Sequence, residues 1–140
     1  MRNHPFRRIL MLLVAFLAFS QVTFAAVVQY RVSTGNDDVE ELIADGDMYR
    51  NSSDLEFSHD DYAGGLQIIG MRFQGINIPQ GSTINSAYIE FKADGNHNKT
   101  TTLTIYGENS GDASAFSSVD YNLSSRAKVS SSVNWSPSNW

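Results

Sequence analysis

Residues 84–93 read INSAYIEFKA. Laid out as an extended chain, Ala87, Ile89, Phe91 and Ala93 point one way. Ser86, Tyr88, Glu90 and Lys92 point the other. A period of two sustained over a whole run predicts a strand with one buried face. Residues 101–106 (TTLTIY) repeat it, with Leu103 and Ile105 inward and Thr102, Thr104 and Tyr106 outward. Residues 66–74 (LQIIGMRFQ) place Ile69, Met71 and Phe73 on one face, and 27–33 (VVQYRVS) form a short β-branched run. Turn residues separate these runs. Pro79-Gln80-Gly81-Ser82 suits a tight turn, and 94–98 (DGNHN) suits a longer hairpin loop. Only 38–44 (DVEELIA) has room for one or two helical turns. Short strands divided by turns predict an all-β chain, an antiparallel β-sandwich of jelly-roll type, over any α/β fold.

The N-terminus carries an address. Arg2, Arg7 and Arg8 precede 11 apolar residues, 9–19, and small residues stand at Thr23 and Ala25. That is the pattern of a secretory signal peptide over 1–25. A membrane span needs about 20 apolar residues, which this run lacks. Removing 25 of 140 residues leaves a domain over 26–140, with 7 basic and 15 acidic side chains. A net charge of −8 argues against nucleic acid and anionic lipid as partners. The expected location is extracellular or on the cell surface. Cysteine is absent, which excludes disulfides, thiolate metal sites and a cysteine nucleophile. The serine-rich stretch 110–138 also carries Phe116, Tyr121, Leu123, Val129, Val133 and Trp135, so it reads as packed loop and strand rather than linker.

Ten of the acids fall between Asp37 and Asp61, opposed only by Arg50. Such a segment repels itself unless something offsets the charge. Outside the cell, calcium is the natural candidate, because it gathers six to eight oxygens. Glu40, Glu41, Asp54 and Glu56 lie on two segments that a sandwich can bring together, although no acid spacing completes an EF-hand. The competing reading is a solvated acidic surface that needs no ion. For catalysis the signals are poorer. A carboxylate pair for glycoside cleavage is defined by a separation that sequence does not carry. His59 beside Asp60 and Asp61 has no Gly-x-Ser-x-Gly elbow to serve. The expectation is therefore a non-catalytic protein. Its outward-facing Tyr88 and Tyr106, on two strands expected to be neighbours, could stack on sugar rings or simply cover cross-strand surface.

Several short motifs occur in a telling order: Gly35-Asn36-Asp37-Asp38-Val39-Glu40-Glu41, Ser52-Ser53-Asp54-Leu55-Glu56, Gly70-Met71-Arg72-Phe73 and Ile78-Pro79-Gln80-Gly81-Ser82-Thr83-Ile84. Ser86-Ala87-Tyr88-Ile89-Glu90-Phe91, Leu103-Thr104-Ile105-Tyr106-Gly107-Glu108, Ser124-Ser125-Arg126 and Val133-Asn134-Trp135-Ser136-Pro137 follow. Together they resemble the disaggregatase-related β-sandwich modules of exported bacterial proteins, some of which are grouped with carbohydrate-binding modules. The resemblance implies a binding or adhesive role toward a polysaccharide, cell-surface polymer or protein partner, without catalysis. It also places Asp37, Asp38, Glu40, Glu41, Asp54 and Glu56 on the module's acidic pattern, as candidate calcium ligands. Such modules continue past the Trp-Ser-Pro segment, so the expectation is a sandwich incomplete at its C-terminus, with a fragment, a truncated gene product and one piece of a larger protein all open as its origin.

Overall fold

The computed structural model describes residues 25–62, 64–96, 98 and 100–138. The expected leader, except Ala25, lies outside the described residues, as do His97 and Trp140. Six strands and no helix occur among the described residues: β1 (Asp38–Leu42), β2 (Met48–Tyr49), β3 (His59–Asp60), β4 (Gly65–Met71), β5 (Leu103–Glu108) and β6 (Lys128–Trp135). All pairing is antiparallel. One sheet has the order β2-β1-β4-β3; β5 and β6 form a separate two-stranded ribbon. The all-β expectation is met. The two sheets do not close on one another as a sandwich would.

β1 and β4 are the centre of the larger sheet, with Val39 opposite Gly70, Glu40 opposite Ile69 and Leu42 opposite Gln67. Alternation sorts β1 into two faces. Val39 and Glu41 point toward the 113–125 segment. Val39, Phe116 and Leu123 close over Gly70, where a methyl group would come within 3.0 Å of all three side chains. The opposite face holds Glu40, Leu42, Gln67 and Ile69 and is covered by the segment around Glu56. A strand covered on both sides is the core here, and its buried apolar residues are few: Val39, Leu42 and Phe116.

Residues 38–42 are thus strand rather than the helical turns their acids and leucine permit. The ladder to β4 and partners for the carboxylates decide the matter, as tertiary context commonly does. The chain then reverses through 43–45. Gly46, at φ +83, donates to the Leu42 carbonyl, and its carbonyl accepts from the Tyr121 N–H. A side chain at Gly46 would strike the Tyr121 ring at 2.6 Å.

Two predicted strands are absent. Residues 27–33 form no ladder. Residues 84–93 are not strand either and make no backbone hydrogen bond among the described residues. The turn before them does form: Ser82 N–H donates to Pro79 O, with Gly81 at φ +84. Alternation equips a segment for a sheet, but a ladder needs a neighbouring strand, and the described residues offer none. The hairpin loop expected at 94–98 falls partly outside the described residues, at His97. Phe91 anchors the segment, stacked on Trp135 at 5.0 Å and edge-on to Phe57 at 4.9 Å. β5 and β6 pair as the alternation of 101–106 requires, Leu103 opposite Trp135 and Ile105 opposite Val133.

Candidate functional site

Three acids of the segment fold inward. Asp37, Glu40 and Glu41 are 0%, 2% and 1% exposed, among the most buried side chains described. Each carboxyl meets different surroundings.

Asp37 is paired. Arg72 Nη1 donates to Oδ1 at 2.7 Å, Thr34 Oγ1 to Oδ2 at 2.8 Å, and Gln74 Nε2 also to Oδ2. Burial by itself raises the Asp37 carboxyl. The hydrogen bonds from Thr34, Gln74 and Arg72, with the Arg72 charge, outweigh it and hold the group below the usual carboxylate range. Arg72 Nε donates to Ala113 O at 2.7 Å, so the same guanidinium ties β4 to the 113–125 segment.

Glu41 is capped by backbone. Its Oε2 accepts from Leu123 N–H at 2.7 Å and Ser124 N–H at 2.9 Å. Two N–H groups aimed at one carboxylate oxygen form a charge-assisted clamp that holds the 120–125 turns on the sheet.

Glu40 faces another acid. Its Oε1 accepts from the Glu56 N–H at 2.9 Å, while its carboxyl lies within hydrogen-bond reach of the Glu56 carboxyl. Burial pushes the Glu40 carboxyl up to about 8, and Glu56 adds to the rise. Gln67 completes the group: its Nε2 donates to Glu56 O at 2.6 Å and reaches Glu40 Oε1 at 3.5 Å.

The six acids expected to surround calcium therefore do not converge. Glu40 and Glu56 meet. Asp37 and Glu41 have their own partners elsewhere, Asp38 is half-buried, and Asp54 is exposed beside Ser53 Oγ. Among the described residues no group of three or more His, Asp or Glu side chains is placed to hold a metal ion. His59 Nδ1 lies 3.2 Å from Asp61 Oδ1 on the exposed rim.

Tyr88 is 82% exposed and Tyr106 49%. They are not on neighbouring strands, because 84–93 do not pair with β5. Lys128 Nζ sits 5.6 Å from the Tyr106 ring centroid, over one ring face. A surface hollow of about 290 Å³ opens elsewhere, lined by Thr34, Asp38, Arg50, Asn51 and Ser52 among others. Arg50 is steered there by its bond to Asn36 Oδ1.

Arg72 and Arg126 do structural work that their sequence context does not announce. Arg126 is the larger hub. It donates to the carbonyls of Asn122, Ser114 and Ala115, to Asn122 Oδ1 and to Glu108 Oε2, and lies 4.5 Å over the Phe116 ring. Gln67 was equally silent, a polar residue inside an apolar alternation.

No family model, curated protein or solved structure matches the chain.

Proposed function

We propose that the chain is a non-catalytic binding module of the extracellular space, built as part of a β-sandwich, and that it acts as a structural or adhesive unit by strand pairing. One observation carries this reading. Residues 84–93 hold a full strand pattern, yet they make no backbone hydrogen bond among the described residues, and Ile84, Tyr88 and Ile89 are exposed. An apolar segment with free N–H and C=O groups is a template for another strand. A second copy of the chain suits it. In an antiparallel register centred on Phe91, Glu90 falls opposite Lys92 of the other copy, and Lys92 opposite its Glu90. Opposite charges in such positions favour the pair.

Sedimentation of the chain from residue 26 tests this. A dimer is expected at high concentration. Glu90→Lys and Lys92→Glu should each remain monomeric alone, because like charges then face each other, and should form a mixed dimer when combined. A wild-type chain that stays monomeric at millimolar concentration removes the reading.

A glycan or other cell-surface polymer as ligand is favoured by a different observation. The hollow beside Arg50 gathers a carboxylate, a guanidinium, an amide and hydroxyls, the groups that hydrogen-bond to sugar hydroxyls. Tyr88 offers an open ring face for stacking. Affinity electrophoresis in polysaccharide gels reads it: retardation lost in Arg50→Ala supports the hollow, retardation lost in Tyr88→Ala supports the ring, and no retardation in any gel discards both.

A further inference from the structure

We infer that Glu40, Glu56 and Gln67 form a binding site for a single calcium ion. The site lies on the face of β1 and β4 turned away from Phe116. Glu40 projects from the middle of β1. Gln67 projects from β4, opposite Leu42 and so diagonal to Glu40. Glu56 comes from the segment between β2 and β3 and is fixed by two bonds, its N–H to Glu40 and its C=O from Gln67.

The oxygen inventory is what asks for a cation. Glu56 Oε2 and Gln67 Oε1 are both buried without a hydrogen-bond partner. Gln67 as a whole is 7% exposed. Its amide cannot turn over to relieve this, because Nε2 is needed as donor to Glu56 O; the reversed amide would press two carbonyl oxygens together. The side-chain donor of this cluster, Gln67 Nε2, is turned to Glu56 O and Glu40 Oε1 and reaches neither Glu56 Oε2 nor Gln67 Oε1. Buried polar groups left in that state are costly and call for an explanation. A proton shared between the two carboxyls supplies one of them and nothing for Gln67. A cation satisfies all three at once.

The donor set selects the ion. Two carboxylates and an amide carbonyl are hard oxygen ligands, and none of the three supplies the imidazole or thiolate that favours a transition metal. Calcium accepts irregular sets of six to eight oxygens and fills the remainder with water, whereas magnesium demands a tight octahedron. Glu56 is only half-buried, which leaves one side of the pocket near solvent for entry and for those waters. The site differs from the six-acid cluster expected from sequence: four of those residues drop out, and an amide enters.

Equilibrium dialysis of the chelated chain from residue 26 against calcium, at fixed ionic strength, reads stoichiometry and affinity directly. One ion per chain is expected, with magnesium binding at least about tenfold more weakly. Glu56→Gln and Gln67→Leu should each weaken calcium about tenfold or more, a loss of one ligand. Gln67→Glu should tighten it, while lowering the melting midpoint of the calcium-free chain. Asp54→Asn, an exposed acid outside the pocket, should change nothing. The Gln67→Glu arm stands even where Glu56→Gln fails to fold. Absence of saturable binding at millimolar calcium overturns the inference. So does binding that survives Gln67→Leu in a folded chain, or that is lost in Asp54→Asn.

Discussion

Asp37 and Arg72 are a buried ion pair in which each charge depends on the other. Arg72 is 20% exposed and Asp37 1% at the side chain, so neither finds enough water to stand alone. Removing one partner of such a pair costs about 3 kcal/mol or more. Asp37→Asn is therefore expected to lower stability by roughly that amount at neutral pH, measured by urea unfolding. The pH dependence follows from the direction of the shift. The folded carboxyl titrates below its unfolded value near 4, so the unfolded chain binds the proton first as pH falls. The contribution of Asp37 is fully present above about 4 and is lost as pH drops through the lower, folded value. Asp37→Asn should flatten that part of the acid limb. None of this was legible from the acidic run. Asp37 reads as one of ten similar acids, and its partners Arg72 and Gln74 lie more than 30 residues away.

At the scale of the element, β1 and β4 stand or fall on Gly70. Its missing side chain lets Phe116 and Leu123 reach Val39 through the sheet surface. In Gly70→Ala the added carbon would sit 2.9 Å from Leu123 Cδ1 and Phe116 Cζ. Overpacking of that kind costs about 1–3 kcal/mol, and a calorimetric midpoint lower by several degrees is the expected result. Sequence patterning performed unevenly across the strands, for a physical reason. β5 was legible because Leu103 and Ile105 alternate with threonines, and β4 because Ile69 and Met71 share a face. β1 was not, because between the buried Val39 and Leu42 stand two buried glutamates whose hydrogen-bond donors come from distant segments. Residues 84–93 were over-read because alternation reports what a strand would bury and says nothing of whether a neighbour is there. The Glu40–Glu56 contact was within reach of the acidic-cluster argument; the role of Gln67 was not, since a lone amide carries no periodic or charge signal.

Across the whole molecule, the larger sheet and the β5–β6 ribbon are joined through few groups. Arg126 is central among them: it binds Glu108 at the end of β5 and also holds the 113–125 segment that covers β1. Lysine keeps the charge but not the planar fork of donors. Arg126→Lys is expected to cost about 2 kcal/mol. It should also separate the unfolding of the ribbon from that of the sheet, seen as amides of β6 exchanging before those of β4. If β4 and β6 still exchange together in the variant, the junction is carried elsewhere, and the Phe57, Phe91 and Trp135 cluster is the place to look.

The Glu41 clamp spans 82 residues of chain, from β1 to Leu123. A ribosome delivers Glu41 long before it delivers its two N–H partners. During that interval β1 has a carboxylate with nowhere to go, and the strand has no reason to bury it. Closing so long a loop is slow compared with making a local hairpin. The local β1–β2 turn therefore forms ahead of the clamp, and the burial of Glu41 waits on the far end of the chain.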